Sequence, residues 1–404
     1  MKKILFIFLL IFFYSCTKKY NLDFYNFQNK INLIYDTYDR QKCVDNFINK
    51  LSKKDYPIFE NDSTIVLFYK GNVNKVEMIG DLNYWTHPTE FNNISSTDLY
   101  YIRINIVQNS VPEYWLIIDG ITQIDSLNRY MLENEFGFAS QIISHRNPVF
   151  RKNPGRDKKG LYHTYRLQLE EYEDITLQVY LPPGYNDYKS YPIIFFLDGK
   201  KYIEFGDAPS TINNLIKKDK IQEMIAVFIE YGFDIEKDAN RNIKEFYSEA
   251  QKVLSREILD FIENRFSISM EPEKRLLVGK SVSSGANILA AIKHSDKFGK
   301  ILSQSGYLPN ISFNDNVISE QKQSAKLNFL FQVGNYEKNV SHLVIPPSET
   351  DFFQANFDFV GLLRKKGYHA SIIAYNAGHS WGNWKTHLKD GLIYFFAKKV
   401  DNPG

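Results

Sequence analysis

The chain has 404 residues, 44% hydrophobic and 24% charged, with 49 Lys and Arg against 47 Asp and Glu. That length suits two domains rather than one, and the composition excludes both a disordered chain and a multi-span membrane protein. A net charge of +2 without a separate basic block excludes the electrostatic footprint of a nucleic-acid binder.

The first element reads as an export signal. "MKKILFIFLLIFFYSC" has a basic start at Lys2 and Lys3, an apolar run from Ile4 to Phe13, and Ser15 before Cys16. The run is shorter than the roughly 20 apolar residues a bilayer span needs. Its end resembles a lipoprotein signal, in which the cysteine after a small residue becomes the lipidated first residue of the mature chain. Cys16 is therefore the expected lipidation site, with a plain secretory signal as the alternative, and residues 1–15 are expected to be removed. Acyl chains on Cys16 would contribute about 0.8 kcal/mol per buried CH₂, enough with more than one chain for stable membrane anchoring. Cys43 is then the one unmodified cysteine; it can form neither an internal disulfide nor a zinc cluster. No metal or cofactor is expected.

Residues 16–60 read as one or two helices behind the anchor. From Thr64 the rhythm changes to short strands, "TIVLFYK", "KVEMIGDLNYW", "LYYIRINIV" and "EYWLIIDG", separated by turn-rich pieces. This spacing predicts a β-sandwich over residues 61–147. "IGDLNYW" and "YWLIIDG" resemble two strands of the early-set immunoglobulin-like modules found at the N-terminus of enterochelin esterases and glycogen-branching-type enzymes. In some such modules exposed tryptophans bind glycans; Trp85 and Trp115 either do the same or, the favoured reading, pack the sandwich. The module is expected to orient the second half of the chain and carries no catalytic set of its own.

A linker, "SHRNPVFRKNPGRDKKG", leads to a second regime over residues 160–400, where apolar strands alternate with amphipathic helices. Runs such as "YPIIFFLDG", "EMIAVFIEYG" and "LNFLFQVG" are nearly continuous, as expected of strands covered on both faces in a parallel sheet. The fold class is therefore α/β, preceded by a β-sandwich.

Within this half, "LLVGKSVSSGANILAAI" changes from strand to helix at Ser281, two residues after Gly279. A nucleophile elbow needs this layout, because the serine occupies a strained turn and small neighbours let strand and helix approach. The usual G-x-S-x-G is here G-x-S-x-S, with Ser283 in the last place. A carboxylate follows at Glu337, just past the strand "LNFLFQVG", and an imidazole at His379, just past "HASIIAYNAGH". The order Ser, acid, His at successive strand ends is that of the α/β-hydrolases. Glu349 and Asp351 compete for the acid role but lie farther from the strand end.

Residues from about 170 to 396 resemble the putative esterase family of α/β-hydrolases, which includes enterochelin, feruloyl and acetyl-xylan esterases. The resemblance is carried by "VYLPPGYNDYKSYPIIFFLDG", "LLVGKSVSSGANILAAIKHSDKFGKILSQSG", "VGNYE" and "AGHSWGNWKTHLKDGLIYF". It implies Ser281 as nucleophile, His379 as general base and then acid, and Glu337 as the group that orients His379. It also implies an oxyanion hole from the backbone of Val282 and of Gly199 or Lys200, after the family's Asp198-Gly199. Lys200, Lys201, Arg241 and Trp381 lie on segments expected near the substrate. Ala377 and Ser380 depart from the family's usual G-G-H-D-W, and Ser283 from its glycine, so an inactive descendant that binds a glycan or siderophore stays open. The expected substrate is an extracytoplasmic small-molecule or glycan ester, since an export signal suits an acylated glycan better than a siderophore hydrolysed in the cytoplasm; a siderophore ester is the alternative.

Overall fold

The computed structural model describes residues 24–51, 56–135, 137–143, 161–169, 174–231, 242–308, 327–340 and 347–398. The expected lipidation site Cys16, the linker after residue 143 and Arg241 lie outside them.

The described chain begins with two helices, α1 (Phe24–Asn32) and α2 (Thr37–Lys50). Phe24, Phe27 and Ile31 fall on one buried face of α1, and Asp36 caps α2 by accepting the Asp39 N–H at 2.9 Å. These helices are part of the core: the Phe24 ring lies 4.9 Å from that of Phe68, 5.0 Å from Tyr101 and 6.0 Å from Phe47.

Ten short strands come next. They are β1 (Ile58–Phe59), β2 (Thr64–Lys70), β3 (Val76–Gly80), β4 (Thr89–Glu90) and β5 (Asn92–Asn93), then β6 (Leu99–Asn105), β7 (Glu113–Ile118), β8 (Ile121–Gln123), β9 (Met131–Asn134) and β10 (Gly137–Gln141). They form two antiparallel sheets, ordered β1-β2-β6-β5 and β4-β3-β7-β10-β9, with β8 added to β7. One apolar core holds Val66, Phe68, Met78, Leu116, Phe24 and Phe47 together, so helices and both sheets share it. Four consecutive buried residues, Ile65 to Phe68, are consistent with cover on both faces of β2.

The second half is built on one eight-stranded sheet. Its strands are β11 (Leu161–Leu167), β12 (Ile175–Leu181), β13 (Ile193–Leu197), β14 (Ile225–Glu230), β15 (Arg275–Lys280), β16 (Lys300–Gln304), β17 (Asn328–Gly334) and β18 (His369–Tyr375). The spatial order is β11-β12-β14-β13-β15-β16-β17-β18; β12 is antiparallel to both neighbours and all other pairs from β14 onward are parallel.

The helices of this half are α3 (Gly199–Glu204), α4 (Ala208–Lys217), α5 (Ile243–Lys252), α6 (Leu259–Glu263), α7 (Ser281–Lys293), α8 (Phe352–Lys365) and α9 (Trp381–Phe396). A π-helical turn, Val253–Ile258, joins α5 to α6. Strand alternation sorts the layers: Ile193, Phe195 and Leu197 share a core with α5, α7 and α8, while Ile194 and Phe196 share another with α4 and α9. The result is a three-layer α/β domain whose parallel strands all end on one edge.

Candidate active site

Three of those strand ends carry the expected residues. Ser281 follows β15 directly, Glu337 stands three residues past β17, and His379 stands four past β18. Ser281 has φ of +46°, in the left-handed region that costs a non-glycine residue about 1–3 kcal/mol. Its hydroxyl lies 3.2 Å from His379 Nε2, and His379 Nδ1 lies 3.0 Å from Glu337 Oε2. The order of the sequence has become a chain of contacts.

The two competing acids are occupied elsewhere. Glu349 accepts the Tyr307 hydroxyl, and Asp351 caps α8 by accepting the Gln354 N–H at 2.8 Å.

Glu337 is fully buried, and its second oxygen accepts three donors: the Ser305 hydroxyl at 2.6 Å, the Gly334 N–H at 2.6 Å and Asn383 Nδ2 at 3.1 Å. Trp384 Nε1–H in turn occupies the Ser305 oxygen at 2.9 Å, so the Ser305 proton points at the carboxylate. Burial pushes the Glu337 carboxyl up, and the three donors pull it back toward the charged form. Burial, aided by the Lys280 charge, pushes His379 down to about 3, which favours the neutral imidazole from which a general base must start. Phe352 and Trp384 flank the ring at 4.2 Å and 5.1 Å between centroids and shut out water.

The Asp198-Gly199 corner follows β13, the neighbour of β15. Asp198 has φ of +62°, and a Cβ on Gly199 would come within 2.2 Å of the Ile229 nitrogen, so only glycine fits against β14. Gly199 and Lys200 open α3, and Val282 lies in the first turn of α7, where N–H groups have no intrahelical acceptor.

Ser283, the departure from the elbow pattern, is buried and donates to Asp198 Oδ2 at 2.5 Å. A glycine there would leave that oxygen without this donor. A further departure, Ser380, caps the start of α9 and is half-buried beside Glu113.

Sequence reasoning missed Lys280, a buried cation between Gly279 and Ser281. Its ammonium is 3.1 Å from Glu135 Oε1 and 3.7 Å from Asp198 Oδ2, and it lies 5.0 Å and 5.4 Å from the ring centres of Trp384 and Trp381. Glu135 comes from the turn after β9, in the sandwich half, and also pairs with Lys201 at 2.9 Å. Burial alone would raise its pKa; Lys280 and Lys201 outweigh that and hold it down at about 2. A lysine inside an elbow motif was the available signal, because a charge placed there is forced inward.

Trp381 corrects an expectation. It is 2% exposed, edge-on to Tyr202 at 5.3 Å, with its N–H 3.3 Å from Glu135 Oε1; the packing of α9 onto the sheet makes it core rather than a face for substrate. Lys200 reaches 3.6 Å from Glu230 on the surface. Trp85 and Trp115 pack edge to face at 4.9 Å, and both N–H groups are used internally, by Asp81 and by the Phe138 carbonyl.

A family model described as "Putative esterase" matches residues 171–395, more than half the chain. The chain belongs to this family. As a family esterase it is a carboxylic ester hydrolase. The uncharacterized protein YjcH of Bacillus subtilis is 25% identical over 225 residues, 54% of this esterase and 90% of that relative. Solved enterobactin esterase structures share its fold. The enterobactin esterase FES of Shigella flexneri, determined in the presence of enterobactin, gives a TM-score of 0.65 at 14% identity, covering 83% of this chain and 94% of that one. The ferric enterobactin esterase of Salmonella typhimurium gives 0.64 at 14% identity, covering 82% and 93%. A ferulic acid esterase of Anaeromyces mucronatus gives 0.47 at 16% identity, covering 61% and 94%.

Proposed function

We propose that the protein is a serine esterase that works through an acyl-enzyme, with Ser281 as nucleophile, His379 as base and then acid, and Glu337 as the orienting carboxylate. The observation that carries this reading is the unbroken contact from Ser281 through His379 to Glu337, with the serine raised on a left-handed turn. Ser281 Oγ attacks the ester carbonyl as His379 Nε2 takes its proton. The oxyanion formed is met by the N–H groups of Val282 and of Gly199 or Lys200; losing one such donor typically costs roughly 10²–10³ in rate. His379 then returns the proton to the departing alcohol, leaving acyl-Ser281, which water hydrolyses by the same steps in reverse order.

The preferred substrate is an uncharged acyl ester such as an acylated glycan. Lys200, Lys201 and Lys280 each face a carboxylate, which leaves them poorly suited to gather an anion. A siderophore ester is the second reading, favoured by the overlap with enterobactin esterases over 83% of the chain, more than the α/β half alone. A serine-directed fluorophosphonate is expected to label the wild type, and acetylated or feruloylated glycans to turn over faster than a catechol lactone. Absence of labelling would favour a non-catalytic binder, and the reverse order of rates would favour the siderophore.

The reading also includes export and a lipid at Cys16. Cys16→Ala is expected to move the protein from the membrane fraction to the soluble one; a variant that still sediments with membranes would defeat the anchor.

A further inference from the structure

His379 is held from outside its own domain. The loop from Asn376 to Gly382 is tied to the sandwich half at three levels. The Asn376 carbonyl accepts the Val111 N–H at 3.0 Å, and its side chain donates to the Gln108 carbonyl at 3.1 Å. The Gly378 backbone packs directly against the Asp81 carboxyl. The Gly382 N–H donates to Glu113 Oε1 at 2.9 Å. The fit is close enough to dictate residue type: a Cβ on Gly378 would lie 1.9 Å from Asp81 Oδ1, and one on Gly382 would lie 2.5 Å from Glu113 Oε1 and 2.3 Å from Gln141 Nε2.

The Asp81 carboxyl is fixed in turn. Asp81 Oδ1 accepts Trp85 Nε1–H at 2.8 Å and Oδ2 accepts the Glu113 N–H at 2.8 Å, while Tyr84 and Trp85 take consecutive positive φ values of 55° and 57° to bring that indole back. Asp81 and Glu113 are 1% and 2% exposed.

We propose that Asp81 and Glu113 are positioning residues for ester hydrolysis: the sandwich half grips the backbone on either side of His379 and thereby sets where its imidazole stands. The inference rests on the triad reading above but concerns different residues. It makes the sandwich half part of the catalytic apparatus through a contact that neither substrate nor membrane requires.

A pH signature accompanies the grip. Burial, together with the neighbouring Asp81, raises Glu113 to about 8, and burial raises Asp81 to about 6. Glu337 is the other ionisable group acting on Asp81, Asp81 and Tyr84 act on the neighbouring Tyr336, and Lys280 and Glu135 act on His379. Burial thus favours the uncharged form of Glu113, and its ionisation sets a second negative charge beside Asp81. A carboxyl raised on folding contributes fully below its ordinary value of 4.5, and that contribution is lost as pH rises through about 8. The grip should loosen on the alkaline side.

The test uses the full-length protein, a p-nitrophenyl ester, and the imidazole resonances of His379. Glu113→Ala and Asp81→Ala are expected to lower kcat by about 10²-fold with KM little changed, the size of effect a displacement of about 1 Å produces. Glu113→Gln keeps an acceptor for Gly382 but cannot ionise; it is expected to restore most of the loss and to remove the alkaline limb near pH 8. Folded alanine variants with wild-type kcat and an unmoved His379 resonance would overturn the proposal. If the alanine variants fail to fold, Glu113→Gln decides alone, and a wild-type alkaline limb in it would overturn the proposal equally. A wild type that neither labels nor turns over defeats the triad reading instead, and the His379 resonance then judges the grip: displaced in the Glu113→Ala and Asp81→Ala variants it stands, unchanged it falls.

Discussion

Ser281→Ala is expected to cut turnover by about 10⁶ while leaving thermal unfolding nearly where it was. The competing account makes Ser281 a helix N-cap, whose loss would cost about 0.5–2 kcal/mol of stability and spare activity. The geometry argues against capping. No side-chain cap bond is made at the start of α7, and the cap position belongs to Lys280. The Ser281 hydroxyl is turned to His379 instead, at 3.2 Å. Nucleophile and base act as one unit, so His379→Ala should cost nearly as much, and the double variant little more than either. Turnover and melting measured on the same preparation decide the matter. A protein that melts lower but hydrolyses ester normally would sink the serine mechanism.

Glu337→Gln is expected to lower kcat by about 10⁴ with KM little changed. The amide retains the size of the side chain and an oxygen for the donors from Ser305, Gly334 and Asn383. It cannot accept from Nδ1 through its nitrogen, so the imidazole turns to the tautomer that presents N–H rather than a lone pair to Ser281. Glu337→Ala adds a second loss, because three buried donors are then left without an acceptor, at about 1–3 kcal/mol each. Comparing the two variants separates chemistry from stability: similar kcat with different melting points is the expected pattern. Wild-type turnover in Glu337→Gln would remove the carboxylate from the mechanism.

The acylating constellation was legible in the sequence because its chemistry constrains order and place. A nucleophile needs a sharp turn, and an acid and a base must follow later strands, so Ser281, Glu337 and His379 could be chosen from many serines, carboxylates and eight histidines. The sheet was legible for a related reason, since buried parallel strands are almost uniformly apolar. β11 was not. "LYHTYRL" lies at the outer edge of the sheet and, among the described residues, pairs only with β12, so it carries polar residues that blur the pattern. Nor were Glu135, Asp81 and Glu113 legible. Their partners Trp381 and Gly382 lie 246 and 269 residues away for Glu135 and Glu113, and nothing local distinguishes such a carboxylate from a solvated one. Trp381 was misplaced for the converse reason: an aromatic beside the histidine reads as a binding face until the packing of α9 onto the sheet is known. Ser283 reads in the sequence as a departure from the elbow's last glycine, and in the structure it is a donor to Asp198.

The near contact between Asp81 and Gly378 limits how this protein can have changed over generations. Any side chain at position 378 collides with a carboxylate from the other half, and a larger residue at position 81 collides with the loop. The two halves must therefore be inherited together, with each domain restricting drift in the other. The Bacillus subtilis relative aligns over 225 residues that make up 90% of its length, which leaves no room for a partner the size of this sandwich. Moving this hydrolase half away from its sandwich should demand redesign of the loop around Gly378 rather than of the strands.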